Sequence, residues 1–370
     1  MLILYELKKQ LEKPFVWVCL AASVLINLLV LVSEGYSCMK ISQQNQAVSA
    51  IGTTLISEEN TPLLVQYLDE EYLTSVMRSG TGNPAEWLEF DIGQNVLLYS
   101  SNAYESGAKP LIMEISEPVF AERLNELQTN GENLHINGGE WLLGIVIPKL
   151  LMSISFECAV FAVLISVKIG GHEFSEKTAN VVYSTKKGRS LGARKLAASL
   201  IAAALFHIVL TAVSALLLFI ICPCGNLLSA PAFLENMKTG NIVTWFSMSV
   251  GEFILANAAF SLLLTLIFGA FGYSVWGMLC SVPAAVFGAL GISTAPFALG
   301  FFILPGEGLW RLFFASCPTS LIIGRAGFWF CESRNSVAIP GFEMISAVLW
   351  GAITLAFVIL AVYRLKKVKL

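Results

Sequence analysis

Six runs of apolar residues, each as long as a bilayer is thick, constrain this 370-residue chain more than any other feature. A hydrocarbon core of about 30 Å needs roughly 20 apolar residues in a helix. The runs Pro14 to Ser33, Pro148 to Lys168, Leu196 to Cys222, Gly251 to Phe271, Val275 to Ile303 and Ile345 to Tyr363 meet that length. Backbone polar groups in lipid must be satisfied within the segment, which selects helices. With 56% hydrophobic and only 13% charged side chains and a mean hydropathy of +0.71, the expectation is an all-α integral membrane protein with six transmembrane helices. The fifth run is long, and its Pro283 and neighbouring glycines predict a kink or break there. The first is too long, and too far from a small-residue cleavage site, for a removed signal peptide and reads as an anchor.

Basic residues assign the sides. Lys8, Lys9 and Lys13 precede the first run, and Lys168, Lys177, Lys186, Lys187, Arg189, Arg194 and Lys195 lie between the second and third. Arg364, Lys366, Lys367 and Lys369 follow the last. Six crossings put these three segments on one side, and the positive-inside rule makes it cytoplasmic. The expected organisation is a cytoplasmic amphipathic helix over 1–13, a first span over 14–33 and an extracytoplasmic domain over 34–141. Five further spans fill 142–370, with a cytoplasmic segment at 170–195 and an outer re-entrant segment at 304–344.

The outer domain reads as mostly helical, because "TPLLVQYLDEEYL" and "NPAEWLEF" each begin with a capping residue and then Pro. Its many acids, among them Glu58, Glu59, Asp69, Glu70 and Glu71, give a soluble face or one that attracts a cationic ligand. Of eight cysteines, Cys38, Cys222, Cys224, Cys317 and Cys331 fall at or beyond the outer face, where oxidation is chemically open. Cys317 with Cys331 is the first disulfide to expect. None of the cysteines has the partners of a zinc site.

Enzymatic signatures are missing. The chain has no GxxxxGK[ST] phosphate loop, no HExxH and no GxSxG, and its three histidines, His135, His172 and His207, are scattered. The expectation is a protein without catalytic residues, without a metal or a cofactor of its own, and without a nucleic-acid partner.

The segment "VKIGGHEFSEKTANVVYSTKKGRSLGARKLAASLIAAA" holds the most information. Gly170 and Gly171 are read as ending the second helix. Phe174, Thr178, Val181, Val182 and Tyr183 then interleave with Glu173, Glu176 and Lys177, as in a short surface helix able to dock in a partner's groove. The basic run that follows either contacts such a partner or grips anionic lipid headgroups. A new helix is expected to start near Leu191.

This segment resembles the cytoplasmic coupling region of the type-2 ATP-binding-cassette permeases. Glu173 or Glu176, Thr178, Val182, Tyr183, Ser184, Thr185, Arg189 and Lys195 stand in register with the family's Glu, Gly-Thr, aliphatic pair, Ser/Thr-Pro-Arg and closing Lys. Lys177 and Lys186 replace the family's Gly and Pro. The resemblance extends over the whole chain through the six spans, the leading "YELKKQLEK", the outer domain and the position of the coupling segment. It implies a dimer of permease subunits, each bound to a separate nucleotide-binding ATPase that holds ATP and magnesium. Residues Glu173, Glu176, Thr178, Val181, Val182, Tyr183 and Arg189 would transmit force, and substrate would move outward. It also implies that Met1 to Lys13 lies along the inner surface, which suits Leu4, Leu7 and Leu11 against Lys8, Lys9 and Lys13. A reading from another class is a membrane sensor or immunity protein whose acidic outer domain binds a cationic peptide.

Two polar residues stand out inside the runs. Glu157 lies about ten residues into the second, roughly 15 Å deep at 1.5 Å per residue, and His207 is similarly deep in the third. A carboxylate at that depth costs at least about 2.5 kcal/mol unless paired, neutralised or wet. The two are expected to pair, either to hold helices together or to line a pathway. Glu252 and Asn257 read as interfacial. The aromatic stretch Leu304 to Ser333, with Trp310, Phe313, Phe314, Trp329 and Phe330, reads as an exit roof or an aromatic belt.

Overall fold

The protein's structure is a computed structural model that describes residues 2–51, 139–176, 191–230, 244–299, 309–331 and 339–367, with a few single positions between them. Among the described residues the elements are helical, with one isolated backbone bridge between Thr244 and Cys331. In chain order they are α1 (Leu2–Leu11), α2 (Pro14–Ser33), α3 (Gly35–Ile51), α4 (Ile147–Ser175), α5 (Leu191–Ile221), α6 (Val250–Leu279), α7 (Val282–Ala298), α8 (Leu309–Ser316), α9 (Pro318–Arg325) and α10 (Phe342–Lys367). A single turn at Gly139–Trp141 and a π-helical turn at Leu142–Val146 lead into α4. Among the described residues, five helices are long and apolar enough to cross a membrane: Pro14–Ser33, Leu142–Ser175, Leu191–Ile221, Val250–Leu279 and Phe342–Leu365. The chain is therefore a helical, multi-pass membrane protein by length and composition.

Local chemistry sets the helix ends. Lys13 is extended and Pro14 opens α2, where its missing N–H is harmless. Ser249 caps α6 in a reciprocal box, its Oγ accepting from Glu252 N while Ser249 N donates to Glu252 Oε2 at 2.8 Å. At the other end of α6, Cys280 takes a left-handed conformation with φ of 53° and its N–H closes on Trp276 O at 2.8 Å.

That left-handed residue corrects the expected fifth span. Val275 to Leu279 belong to α6, and Pro283 opens a new helix, so the interruption expected there is a break between two helices. The resulting α7 has 17 residues, shorter than the five spanning helices. Gly170 and Gly171 are corrected too: α4 runs through them to Ser175. They serve close packing, since a Cβ on Gly170 would lie 2.5 Å from the Trp276 ring and one on Gly171 2.3 Å from Val282.

The bundle is built around α4, of whose most apolar window 67% is buried, against 22% for α2 and 28% for α5 and α10. Lipid tails are as apolar as leucine, so helices in a membrane associate through close packing and hydrogen bonds. The face of α4 turned to α6 is accordingly small: Ser155, Ala159, Ala162 and Ser166, all buried. It meets Ser261, Thr265, Gly269 and Gly272 at matching spacing on α6. Ser155 and Ser261 share a hydrogen bond of 2.7 Å, and at Gly272 an added Cβ would sit 3.0 Å from Val163 Cα. Gly277 does the same for α10, with Ala361 Cβ 2.8 Å from the missing methyl.

The three basic segments collect at one end of this bundle. Lys168 lies over the Phe15 ring at 4.0 Å, and Leu365 near the end of α10 approaches Gly192 at the start of α5. Leu7 of α1 is half-buried against the core, so this helix is seated on the protein.

At the opposite end, α3 follows α2 after the single residue Glu34, whose carboxylate pairs with Lys149. Residues 52–138, with the two capped helices read in the outer segment, fall almost wholly outside the described positions. Trp329 and Phe330 are buried, and both rings pack on Phe260, so they belong to the core of this end and not to an aromatic belt. Phe313 is exposed.

Replacing Gly272 by Val forces a branched side chain against the α4 backbone and should cost about 1–3 kcal/mol. Thermal unfolding in detergent should show a lower midpoint for G272V. Gly351→Ala, where nothing lies within 4 Å of the added methyl, should not lower it.

Candidate functional site

The basic end carries a clasp at the base of the segment that the sequence singles out. Glu173, on the last turn of α4, and Lys195, on the first turns of α5, form an ion pair. Lys195 is 1% exposed. A buried pair is weak evidence for stability, but losing one partner leaves a charge uncompensated. Around the pair, Trp276 of α6 lies flat on Gly170 and Gly171, and the Phe174 ring meets it edge-on at 5.9 Å. Tyr273 OH donates to Gly192 O at 2.8 Å, joining α6 to the start of α5. Both ends of the 176–190 segment are thus fastened to each other and to a third helix.

Glu173 is buried, with its carboxylate held by Lys195 within the protein. Glu176 is exposed, with its carboxylate 3.9 Å from His172 Nδ1. Thr178 is also exposed, its N–H donating to Glu173 O at 2.9 Å. Val181, Val182, Tyr183 and Arg189 lie outside the described residues. Lys195 was read from sequence as a positive-inside or headgroup charge and as the closing Lys of the resemblance; its burial and its pairing with Glu173 emerge from the structure.

A second polar constellation lies deep in the bundle. Glu157 Oε2 accepts from Asn27 Nδ2 at 3.3 Å, and Oε1 accepts from Ser153 Oγ at 3.3 Å. Ser23 is also hydrogen-bonded to this carboxyl group. The same Asn27 amide donates to Ser214 Oγ at 3.1 Å. Asn27 is fully buried, so one amide ties α2, α4 and α5 together in the apolar region.

His207 is not part of it. Its Nε2 is 3.3 Å from Ala258 O and its Nδ1 3.4 Å from Thr265 Oγ1, both on α6. The expected Glu157–His207 pair is not formed: the residues share a depth but turn to different neighbours. Asn257, read as interfacial, is buried and donates to Phe253 O at 2.8 Å.

Near the opposite end, the expected disulfide between Cys317 and Cys331 is not formed. Cys317 caps α9, its Sγ–H turned back to Phe313 O at 3.4 Å, and burial pushes this thiol up to about 12. Cys331 sits in the bridge to Thr244. A cleft of about 260 Å³ opens between α6, α7 and α10, with Phe268, Val275, Ile292, Pro296, Trp350 and Phe357 in its wall. Its lining is almost wholly carbon, so it offers shape without charge. Among the described residues, no three His, Cys, Asp or Glu side chains are grouped to hold a metal ion.

Two outcomes test these assignments. Lys195→Met strands Glu173 and should destabilise the protein by about 3–5 kcal/mol, with most of that recovered when Glu173→Gln is added; chemical unfolding of the purified chain reads both. In the spans, Asn27→Leu and Glu157→Gln should be non-additive by at least about 0.5 kcal/mol. His207→Leu should add to Glu157→Gln without coupling.

Compared with protein-family models, curated proteins and solved structures, the chain finds no match in any of the three.

Proposed function

We propose that the chain is the permease subunit of an ATP-driven exporter built on the plan of the type-2 ATP-binding-cassette permeases. It sits in the cell membrane with both termini cytoplasmic and pairs with a second permease subunit, a copy of itself or a different chain. A separate nucleotide-binding subunit, which holds ATP and magnesium, docks on the 176–190 segment, and its closure drives substrate outward.

The observation that carries this reading is the clasp. A segment meant only to satisfy the positive-inside rule needs no fixed base, whereas one that transmits a push must not slip. The Glu173–Lys195 pair closes the base, and Trp276 on Gly170 and Gly171 fixes it to α6. A displacement of the segment is then passed to α4, α5 and α6 together. Because α4 and α6 meet through small side chains with little room between them, that displacement moves them as a unit. In this arrangement Val182 and Tyr183 dock, while Glu173 and Lys195 transmit.

A pull-down from membranes of the organism that makes the chain tests the reading. The intact chain should co-purify an ATPase, and Val182→Asp with Tyr183→Asp should abolish that without changing the elution of the detergent-solubilised protein. Failure of the intact chain to bring down any ATPase would contradict the proposal. A cationic peptide bound through the acidic outer segment in its place would favour the sensor reading.

A further inference from the structure

Three buried thiols meet at the end of the bundle opposite the clasp. Cys38 comes from the first turn of α3, and Cys222 and Cys224 flank Pro223 just beyond α5. Their exposures are 4%, 0% and 1%. Cys222 is the middle group, hydrogen-bonded to Cys38 on one side and to Cys224 on the other. An independent contact fixes the same junction: Asn45, seven residues on from Cys38 and so on the same face of α3, donates its amide to Pro223 O. Two elements far apart in sequence are thus held so that their cysteines converge. Cys158, by contrast, lies within α4, and the Cys317 thiol turns to a backbone carbonyl.

We propose that this cluster is a dithiol–disulfide centre in which Cys38 and Cys222 join, locking α3 to the end of α5, with Cys224 as the exchanging thiol. Oxidation removes two electrons and two protons from the pair, and the acceptor is a disulfide-form oxidant, itself reduced to two thiols. The Cys224 thiolate attacks the oxidant's disulfide, forming a mixed disulfide and releasing one thiol. Cys222 then attacks Cys224 Sγ and expels the second thiol. Finally Cys38 attacks Cys222 Sγ, and the Cys224 thiolate leaves.

The cluster's electrostatics fit that order. The hydrogen bond from Cys222 lowers the Cys224 thiol below its ordinary value, while the same contact and then burial raise Cys222. Burial raises Cys38. A thiol held low in this way is the better leaving group in the last step.

The centre does not depend on the exporter reading, and its test needs no transport assay. The full chain in lipid nanodiscs is reduced, exposed to oxidised glutathione, denatured, alkylated with a maleimide and mapped by mass spectrometry. The expected result is loss of two alkylatable thiols and one cross-linked peptide pair containing Cys38 and Cys222. Cys224→Ser should still give that pair, formed about tenfold or more slowly, and Cys38→Ser should stop at Cys222–Cys224. Full alkylation of all three cysteines after oxidation, a glutathione adduct that goes no further, or a cross-link confined to Cys317 and Cys331 would each overturn the proposal.

Discussion

The close contact between α4 and α6 is the constraint on which the rest of the molecule depends. Water supplies no force between helices inside a bilayer, so the two must approach until van der Waals contact and a few hydrogen bonds hold them. Ser155, Ala159, Ala162 and Ser166 against Ser261, Thr265, Gly269 and Gly272 allow that approach. Once α4 is buried against α6, the other spans can only surround the pair, and their outer faces stay apolar. Leu25 and Leu29 on α2, Ile208 and Leu216 on α5, and Val348 and Leu355 on α10 are all exposed in this way.

The same economy of side-chain volume recurs at the basic end. Two glycines admit the Trp276 indole, against which the Phe174 ring packs. An ion pair of this sort contributes little net free energy, yet it is intolerant of losing either member. That intolerance holds the two helix ends that flank the 176–190 segment in one geometry. Among the described residues, fastened helices lie at one end and buried thiols at the other, and the Asn27–Glu157–Ser214 contacts lie in the apolar body between.

How much of this the sequence reveals depends on which physical quantity is asked for. Hydropathy sums along the axis, so the existence of the long apolar helices was legible, as was the start of α5 at Leu191. It does not register where one apolar helix stops and the next starts, and the boundary at Cys280 rests on one left-handed residue in an unbroken greasy run. Gly170 and Gly171 misled for a related reason: a glycine that ends a helix and a glycine that lies under an indole look alike in one dimension. Depth was readable for Glu157 and His207, but depth says nothing about which face a residue occupies, and the two turn to different helices. The Glu173–Lys195 pair spans 22 positions, a separation with no periodic signature. Asn27 did leave a signal, as the lone amide in "VLINLLV", though only its contacts identify it as the tie between three helices.

The central proposal is that force applied to the 176–190 segment reaches the spans through the Glu173–Lys195 clasp, and ATP hydrolysis by the proposed nucleotide-binding subunit, co-reconstituted with the chain, measures this most directly. In proteoliposomes the native chain should stimulate hydrolysis by its bound partner. Lys195→Met should keep the partner bound but lose the stimulation, and the charge swap Glu173→Lys with Lys195→Glu should restore it. Stimulation by Lys195→Met equal to that of the native chain, at equal partner occupancy, would contradict the account.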